Sequence, residues 1–453
     1  MSKTIKIRKG LNIKLKGEAD KVVNAIDLTN QFSIKPTDFH GVTPKMVVKE
    51  GEKVKAGDVV FYNKYQEEVK FCSPVSGEIT AIVRGAKRRI LEVQITADSN
   101  IQYAEMNKID SKSASKEDAK AFLLASGLWP FIKTRPIDVI ANPNDEPKAI
   151  FISAFDSSPL APDYDFVLHG ESENFQTGLD LISKLTDGKT HLTINNSSKS
   201  EEVFKNATGV VHHSINGLHP AGNVGTQIHH IDPINKGERV WTVNALDVAM
   251  IGKIVNSQRF DLTKVIALTG SEVKAPKYYK TIMGAGVSPF LENNIEGDNV
   301  RVISGNVLTG DKIEADGYLG FYSHQLTVIP EGDNPRFSFT DGWMEPGFKK
   351  YSVSRTYFSW LKPNKKHVID TNSNGEERAF VVTGELEKVF PFDIYPMHLT
   401  KACLYNDLDE MENLGIYEVA PEDFALCEFV CTSKVNMQSV IREGLDEVQR
   451  EIM

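Results

Sequence analysis

The sequence predicts a multidomain protein of mixed α+β and α/β class: a β-rich beginning, an α/β centre, a second β module and a mixed helical end. Three observations carry that prediction. Residues 1–100 hold short apolar runs between Gly, Pro and Asn turns, the pattern of a small all-β domain. From about 137 to 270, strand-like apolar runs alternate with helical stretches, which predicts a mostly parallel sheet covered by helices. Met437, Val440, Ile441, Leu445, Val448 and Ile452 recur at helical spacing, an amphipathic helix whose stripe is read as core packing. The expected domains are 1–100, 101–256, 257–330 and 331–453.

In chain order, Ile5, Ile7, Leu11, Ile13 and Leu15 alternate with polar residues, mostly Lys and Arg, and Gly10 marks a turn, so a starting strand pair is expected. The run "VKEGEKVKAGDVVFYNKYQEEVKFCSPVSGEITAI" (48–82) has the outline of a β domain that carries biotin or lipoate on a lysine at a hairpin tip. Its landmarks are Gly51, Gly57, Ser73-Pro74 and Gly77. By spacing from Gly57, Gln66 or Glu67 falls at the tip, with Lys64 and Lys70 flanking it and no M-K-M or D-K-A signature. The scaffold resembles the biotinyl/lipoyl carriers but lacks the attachment lysine, so no swinging arm is expected.

Residues 101–114 are polar and irregular, a linker. Ser115 can cap a helix whose first turn holds Asp118 and whose stop is Gly127. "AIFISAF" (149–155), "THLTIN" (190–195), "GVVHHSI" (209–215) and "KVIALTG" (264–270) read as strands, with helices near 171–186, 200–206 and 244–256. Residues 257–330, which include "VRVISGNVLTG" (300–310), read as a compact β-rich module, and 331–453 as short strands mixed with helices.

Composition excludes several classes. A net charge of −9 leaves no basic field for nucleic acid or anionic lipid. No apolar run approaches the roughly 18 residues of a membrane span, and "MSKTIKIRKGLNIKLKG" lacks a signal-peptide core. Cys72, Cys403, Cys427 and Cys431 are too few and scattered for a disulfide framework, so a reducing compartment is expected. Any work at a membrane would then go through docked partners.

"SGLWPFIKTRP" (126–136) sets Trp129, Pro130 and Phe131 beside Lys133 and Arg135, which alternate with Ile132 and Thr134. Such a loop suits a planar, weakly polar ligand with carbonyl oxygens, because rings stack and a cation polarises the oxygen; a buried anchor loop between domains is the other reading. "HHSINGLHPAGNVGTQIHHIDP" (212–233) holds five of the eleven histidines. No helical H-x-x-x-H pair or C-x-x-C partner accompanies them, so no metal site is expected. His219-Pro220-Ala221-Gly222 and Gly225-Thr226 read instead as a Gly-rich turn where a parallel strand ends, a position ligands favour.

"GAGVSP" (284–289) fails the dinucleotide fingerprint, and no Walker A, G-x-S-x-G or H-E-x-x-H motif occurs. Cys427 and Cys431 lack the further thiolates of an iron–sulfur cluster. With no nucleophile, base and orienter set, the residues point to a binding or scaffolding protein rather than a self-sufficient enzyme.

"KGLNIKLKG", "SGLWPFIKTRPIDVIANP", "GLHPAGNVGTQIHHIDP", "VRVISGNVLTG", "GYLGFYSHQLTVIPEG" and "LCEFVC", in that order, resemble the A subunit of the sodium-translocating NADH:quinone reductases, bacterial respiratory pumps. The resemblance spans nearly the whole chain. It implies a peripheral subunit on the cytoplasmic face of the inner membrane, bound to partner subunits that hold the NADH, flavin and iron–sulfur chemistry and touching the membrane only through them. It also implies a Rossmann-like central domain related to the flavin subunit of respiratory complex I, a β-grasp-like module after it, and a kinship with the C subunit of the Rnf electron-transport complex. Those relatives carry a Gly-rich flavin loop where this chain has Trp129-Pro130-Phe131, Y-P-x-G where it has His219-Pro220-Ala221-Gly222, and cluster cysteines that it lacks. No cofactor of its own is therefore expected.

The family's association with quinone places a site on residues 28–46 and 128–135. Phe32, Phe39, Trp129 and Phe131 would stack on the ring, and His40, Lys133 and Arg135 would bond its carbonyls. His219, Gly222 and Gly225 mark the second loop of interest. A purely structural capping subunit without a ligand site is the alternative.

Overall fold

The computed structural model describes residues 2–25, 30–196, 202–333, 342 and 344–451. Leu28 and Thr29 of the expected site region, residues 200 and 201 of the third helix and Ile452 of the terminal stripe lie outside them.

Seven strands form the central sheet, in the order Thr4–Lys6, Val211–Asn216, Lys189–Asn195, Ala149–Ser153, Val240–Asn244, Lys133–Arg135 and Val139–Ile140. The first five run parallel; at one edge Lys133–Arg135 pairs antiparallel to them and Val139–Ile140 antiparallel to it. The apolar run at 149–153 is strand because it is buried on both faces at the middle of this sheet. From there the chain steps outward to 189 and 211, then returns to lay Val240–Asn244 on the other side.

Helices Ser172–Ser183 and Ala245–Ser257 cross in close contact. A Cβ on Gly178 would lie 1.9 Å from the Val248 carbonyl oxygen, and one on Gly252 1.7 Å from that of Asn174, so glycine sets the approach. Helix Lys116–Ala125 begins as the sequence suggests, with Ser115 and Asp118 forming a reciprocal capping box, and ends at Gly127 with φ +69.

A six-stranded sheet follows, ordered Asp311–Ile313, Val300–Ser304, Gln325–Pro330, Thr263–Thr269, Lys277–Ile282 and Asp20–Asn24. Residues 31–97 fold into a four-stranded and a three-stranded sheet that close over Phe61, Val69, Phe71, Ile79, Val93 and Ile95. The helix Met437–Glu451 buries Met437, Ile441, Leu445 and Val448 in a core formed by the C-terminal region.

The structure departs from the sequence reading in four places. The N-terminal strand pair does not form. Thr4–Lys6 joins the central sheet, while Ile13 and Leu15 pack into the C-terminal core. Gly10 is no hairpin turn; its φ of +143 lets the backbone pass where a Cβ would lie 2.3 Å from the His219 carbonyl oxygen. The hairpin tip falls at Lys64 and Tyr65, not Gln66 and Glu67, because Asn63 already pairs with Gln66. Gly225 and Thr226 lie inside a helix, Val224–Ile231, rather than in a turn. Between 331 and 451 the described residues form helices and irregular chain but no named strand.

Candidate functional site

A cleft of about 510 Å³ opens at the C-terminal ends of the parallel strands. Ser153, Thr242 and Asn244 form its floor, Phe131, Lys133 and Arg135 one side, and residues 304–311 and 320–325 of the second sheet face them. Glu422 of the C-terminal region closes one end. Lys133 and Arg135 reach it together because side chains two apart on the strand Lys133–Arg135 share a face.

The cations of this cleft are committed. Arg135 is 1% exposed. Its Nη1 donates to Asp423 Oδ2 at 3.0 Å, its Nη2 pairs with Glu422, and its Nε lies 3.7 Å from Asp138 Oδ1. Lys133 Nζ sits 4.5 Å from the centre of the Tyr322 ring and 3.9 Å from Asp138. Desolvation pushes the Glu422 carboxyl up to about 7, with Arg135 pulling the other way. Burial works in the same direction on Asp138, but Lys133 and Arg135 outweigh it and hold that carboxyl below its usual value. Lys264, behind the cleft, donates to the Ser323 and Phe321 carbonyls at 2.7 and 3.2 Å, and burial lowers its ammonium to about 8.

Asp423 does a second job. Both its carboxylate oxygens lie 2.5 Å from where a Cβ of Gly225 would be, at the first turn of the helix Val224–Ile231. No side chain caps that helix from Asn223, so the carboxylate supplies the negative charge its amino end favours. Gly222 is glycine because a Cβ would meet the Ser157 nitrogen at 2.5 Å. Its N–H donates to Ser157 Oγ, which in turn lies 3.0 Å from His219 Nδ1. Burial lowers His219 to about 4, so the ring is neutral at pH 7 and shares one hydrogen bond with the serine hydroxyl.

The residues expected to form the quinone site, and those of the second loop, are divided. Phe131, Lys133, Arg135, His219 and Gly222 line the cleft, although Phe131 is itself only 2% exposed and packs on Phe321 at 4.8 Å. Trp129 does not: it is fully buried, donates Nε1–H to the Ala141 carbonyl at 2.7 Å and meets Trp241 edge-on. Phe32 and Phe39 are 2% exposed in the core, where Phe39 packs on Phe71 and Phe321 at 4.4 and 4.8 Å. His40 is exposed and pairs with Asp446 of the terminal helix at 2.9 Å. Gly225 lies under Asp423.

Sequence reasoning missed Phe321, Tyr322 and His324 as well as Asn244 and Asp247. The first three lie in "GYLGFYSHQLTVIPEG", whose tight aromatic–histidine cluster was a usable signal. Among the described residues, no group of three or more His, Cys, Asp or Glu could hold a metal ion, and the four cysteines are buried.

Three descriptions of one family match the chain: an NqrA N-terminal barrel-sandwich hybrid domain over 5–98, an NqrA second alpha/beta domain over 114–260 and an NQRA C-terminal domain over 265–315. The A subunit of the Na(+)-translocating NADH-quinone reductase of Neisseria meningitidis is 37% identical over 99% of this chain and 100% of its own. That of Haemophilus influenzae is also 37% identical with the same coverage, and that of Yersinia pestis 36% over 99% and 100%. An NAD+-reducing [NiFe]-hydrogenase chain overlays 75% of this chain and 59% of its own at 12% identity, with a TM-score of 0.35, too slight a likeness to carry an argument.

Proposed function

The chain belongs to the NqrA family, the A subunits of the Na(+)-translocating NADH-quinone reductases, and on that footing we propose that it is a peripheral member of such a complex that holds the quinone in the cleft at the strand ends. We place it at the cytoplasmic face of the inner membrane, attached through partner subunits; no helix among the described residues is long and apolar enough to cross a membrane. NADH, flavins and the iron–sulfur chemistry belong to those partners, and this chain binds rather than catalyses alone. The central sheet we read as Rossmann-like, of the kind found in the complex I flavin subunit. The N-terminal domain is a carrier-like scaffold without an arm, and the module at 257–330 is β-grasp-like.

One observation carries the quinone reading: the cleft is walled by Phe131, Phe321 and Tyr322 but, among the described residues, has no uncommitted cation for a phosphate. Arg135 faces three carboxylates, and Asp423 already occupies the helix end where a phosphate would settle. Asp38, Asp138, Asp156, Asp247, Asp311 and Glu422 line the same space. A flavin mononucleotide would bring about −1.5 to −2 of charge into this field, so the residues do not fit it. A neutral ring with two carbonyl oxygens fits: aromatic faces take the ring, and polar edges take the oxygens.

The test is calorimetric titration of the purified full chain with a short-chain benzoquinone, with flavin mononucleotide as the comparison. Saturable binding near the micromolar range, about −8 kcal/mol, that Phe131→Ala and Phe321→Ala weaken is the expected result, with no flavin binding. A folded chain that does not saturate with quinone overturns the reading and favours the structural capping role.

A further inference from the structure

We propose that His324, seated against Asp247, is the hydrogen-bond donor that receives a carbonyl oxygen of the bound quinone. The inference rests on the quinone reading of the cleft and names the residue that recognises the ligand's oxygen.

Both side chains line the cleft and both are more than nine-tenths buried: His324 is 8% exposed and Asp247 2%. His324 Nε2 lies 3.3 Å from Asp247 Oδ1 but without the alignment of a hydrogen bond. Among the described residues, neither ring nitrogen of His324, nor Oδ1 of Asp247, has a hydrogen-bond partner. Buried polar atoms are nearly always paired, so three such atoms meeting at one point in a cleft wall mark a place built for polar contact with a ligand.

The cationic, phenolic and amide donors beside it are engaged. Arg135 is held by carboxylates, Lys133 by Asp138 and the Tyr322 ring, and Lys264 by two carbonyls. Tyr322 donates its hydroxyl proton to the Pro130 carbonyl at 2.7 Å. Asn244 caps the helix Ala245–Ser257 with its oxygen and gives its amide to Tyr164. Ser158 Oγ also lines the cleft without a hydrogen-bond partner, and the imidazole is the unpaired donor seated against Asp247.

Asp247 sits in the first turn of the helix Ala245–Ser257, where the positive end of the helix steadies a carboxylate. An imidazole that turns one N–H toward a carboxylate presents a second N–H on its other nitrogen only when it carries both protons. The carboxylate balances the charge when the ring carries both protons. His324 follows Tyr322 and Phe321 by two and three residues, so the ring-stacking wall and the oxygen contact come from a single short segment.

The experiment pairs ligand and protein changes in the full chain. A short-chain benzoquinone and the arene of the same substitution, with hydrogens in place of both carbonyl oxygens, are titrated by calorimetry into the native chain, His324→Leu, His324→Gln and Asp247→Asn. The native chain should prefer the quinone, and His324→Leu should lose about tenfold for the quinone while leaving the arene's affinity unchanged. His324→Gln, which keeps an N–H donor, should recover part of the preference. Asp247→Asn should weaken quinone binding without affecting the arene. If His324→Leu keeps the native preference for quinone over arene, the inference is overturned while the quinone site stands. A loss shared equally by both ligands also overturns it, as a packing effect. A native chain that binds neither ligand overturns the quinone reading itself, and this inference with it.

Discussion

Replacing Arg135 by methionine removes the central cation from a cluster of three carboxylates while keeping most of the side-chain volume. Asp423 is 1% exposed, and Arg135 donates to it from across the cleft; Glu422 and Asp138 flank the same guanidinium. Breaking a buried pair from one side typically costs about 3–5 kcal/mol, because the remaining charge stays desolvated. The loss should be local, since this cluster ties the strand Lys133–Arg135 to the segment Pro421–Phe424. In a multidomain chain a single unfolding free energy is ill-defined, so hydrogen exchange read peptide by peptide is the suitable assay. At neutral pH, a loss of about 3 kcal/mol lowers protection over residues 416–430 by on the order of 10²-fold, with peptides from 53–84 unchanged. Asp423→Asn, which keeps shape and an Arg135 contact, should lose less. Unchanged protection over 416–430 in the Arg135→Met chain would refute the reasoning, because the C-terminal segment would then be held by its apolar core alone.

Three further outcomes follow from the same structure. Gly252→Ala forces a methyl against the Asn174 carbonyl and should cost about 1–3 kcal/mol or more, seen as a lower melting temperature; an unchanged one would mean that the two helices can separate freely. His191 and His213, hydrogen-bonded at 2.8 Å and each lowered by burial to about 4, should make the fold acid-sensitive. Above pH 6.5 both rings are neutral in either state and the full stability is present; as pH falls, the unfolded chain takes up protons first. Stability should therefore decline from pH 6.5 to 4, by about 3 kcal/mol for one ring, and a His191→Asn, His213→Asn chain should show a flatter melting profile over that range. Gly10→Ala, which sets a methyl against the His219 carbonyl, should release the first strand and expose residues 4–11 to protease, whereas an equally resistant chain would contradict the close passage described at that point.

The regular elements were legible because their periods are written locally. The buried run at 149–153, the capping box at Ser115 and the apolar stripe from Met437 each need only neighbours along the chain to be read. The alternation that put Lys133 and Arg135 on one face was legible for the same reason. What was not legible depends on partners far away. The alternating residues near the N-terminus look like a hairpin, but their partners are Ser214, Ile215 and Asn216, which no local pattern names. The helix Val224–Ile231 reads as a turn because its glycine and paired histidines are poor helix formers; a carboxylate from Asp423 completes its amino end. The aromatic and cationic composition of the site was apparent, yet sequence does not tell a ring that lines a cleft, such as Phe131, from one that supports it from behind, such as Phe39 or Trp129.

The first two dozen residues have a consequence for how the molecule is made. Thr4–Lys6 pairs with Val211–Asn216, and Asp20–Asn24 pairs with Lys277–Ile282. At synthesis rates of about 5–20 residues per second, the first strand waits about 10–40 s for its partner to leave the ribosome. The segment is thus made well before its partners, and once seated it joins an edge of each of two sheets. The alternating Lys and Arg that mislead a local reading are suited to that wait, since charge along an unpaired strand discourages it from pairing with a neighbouring chain.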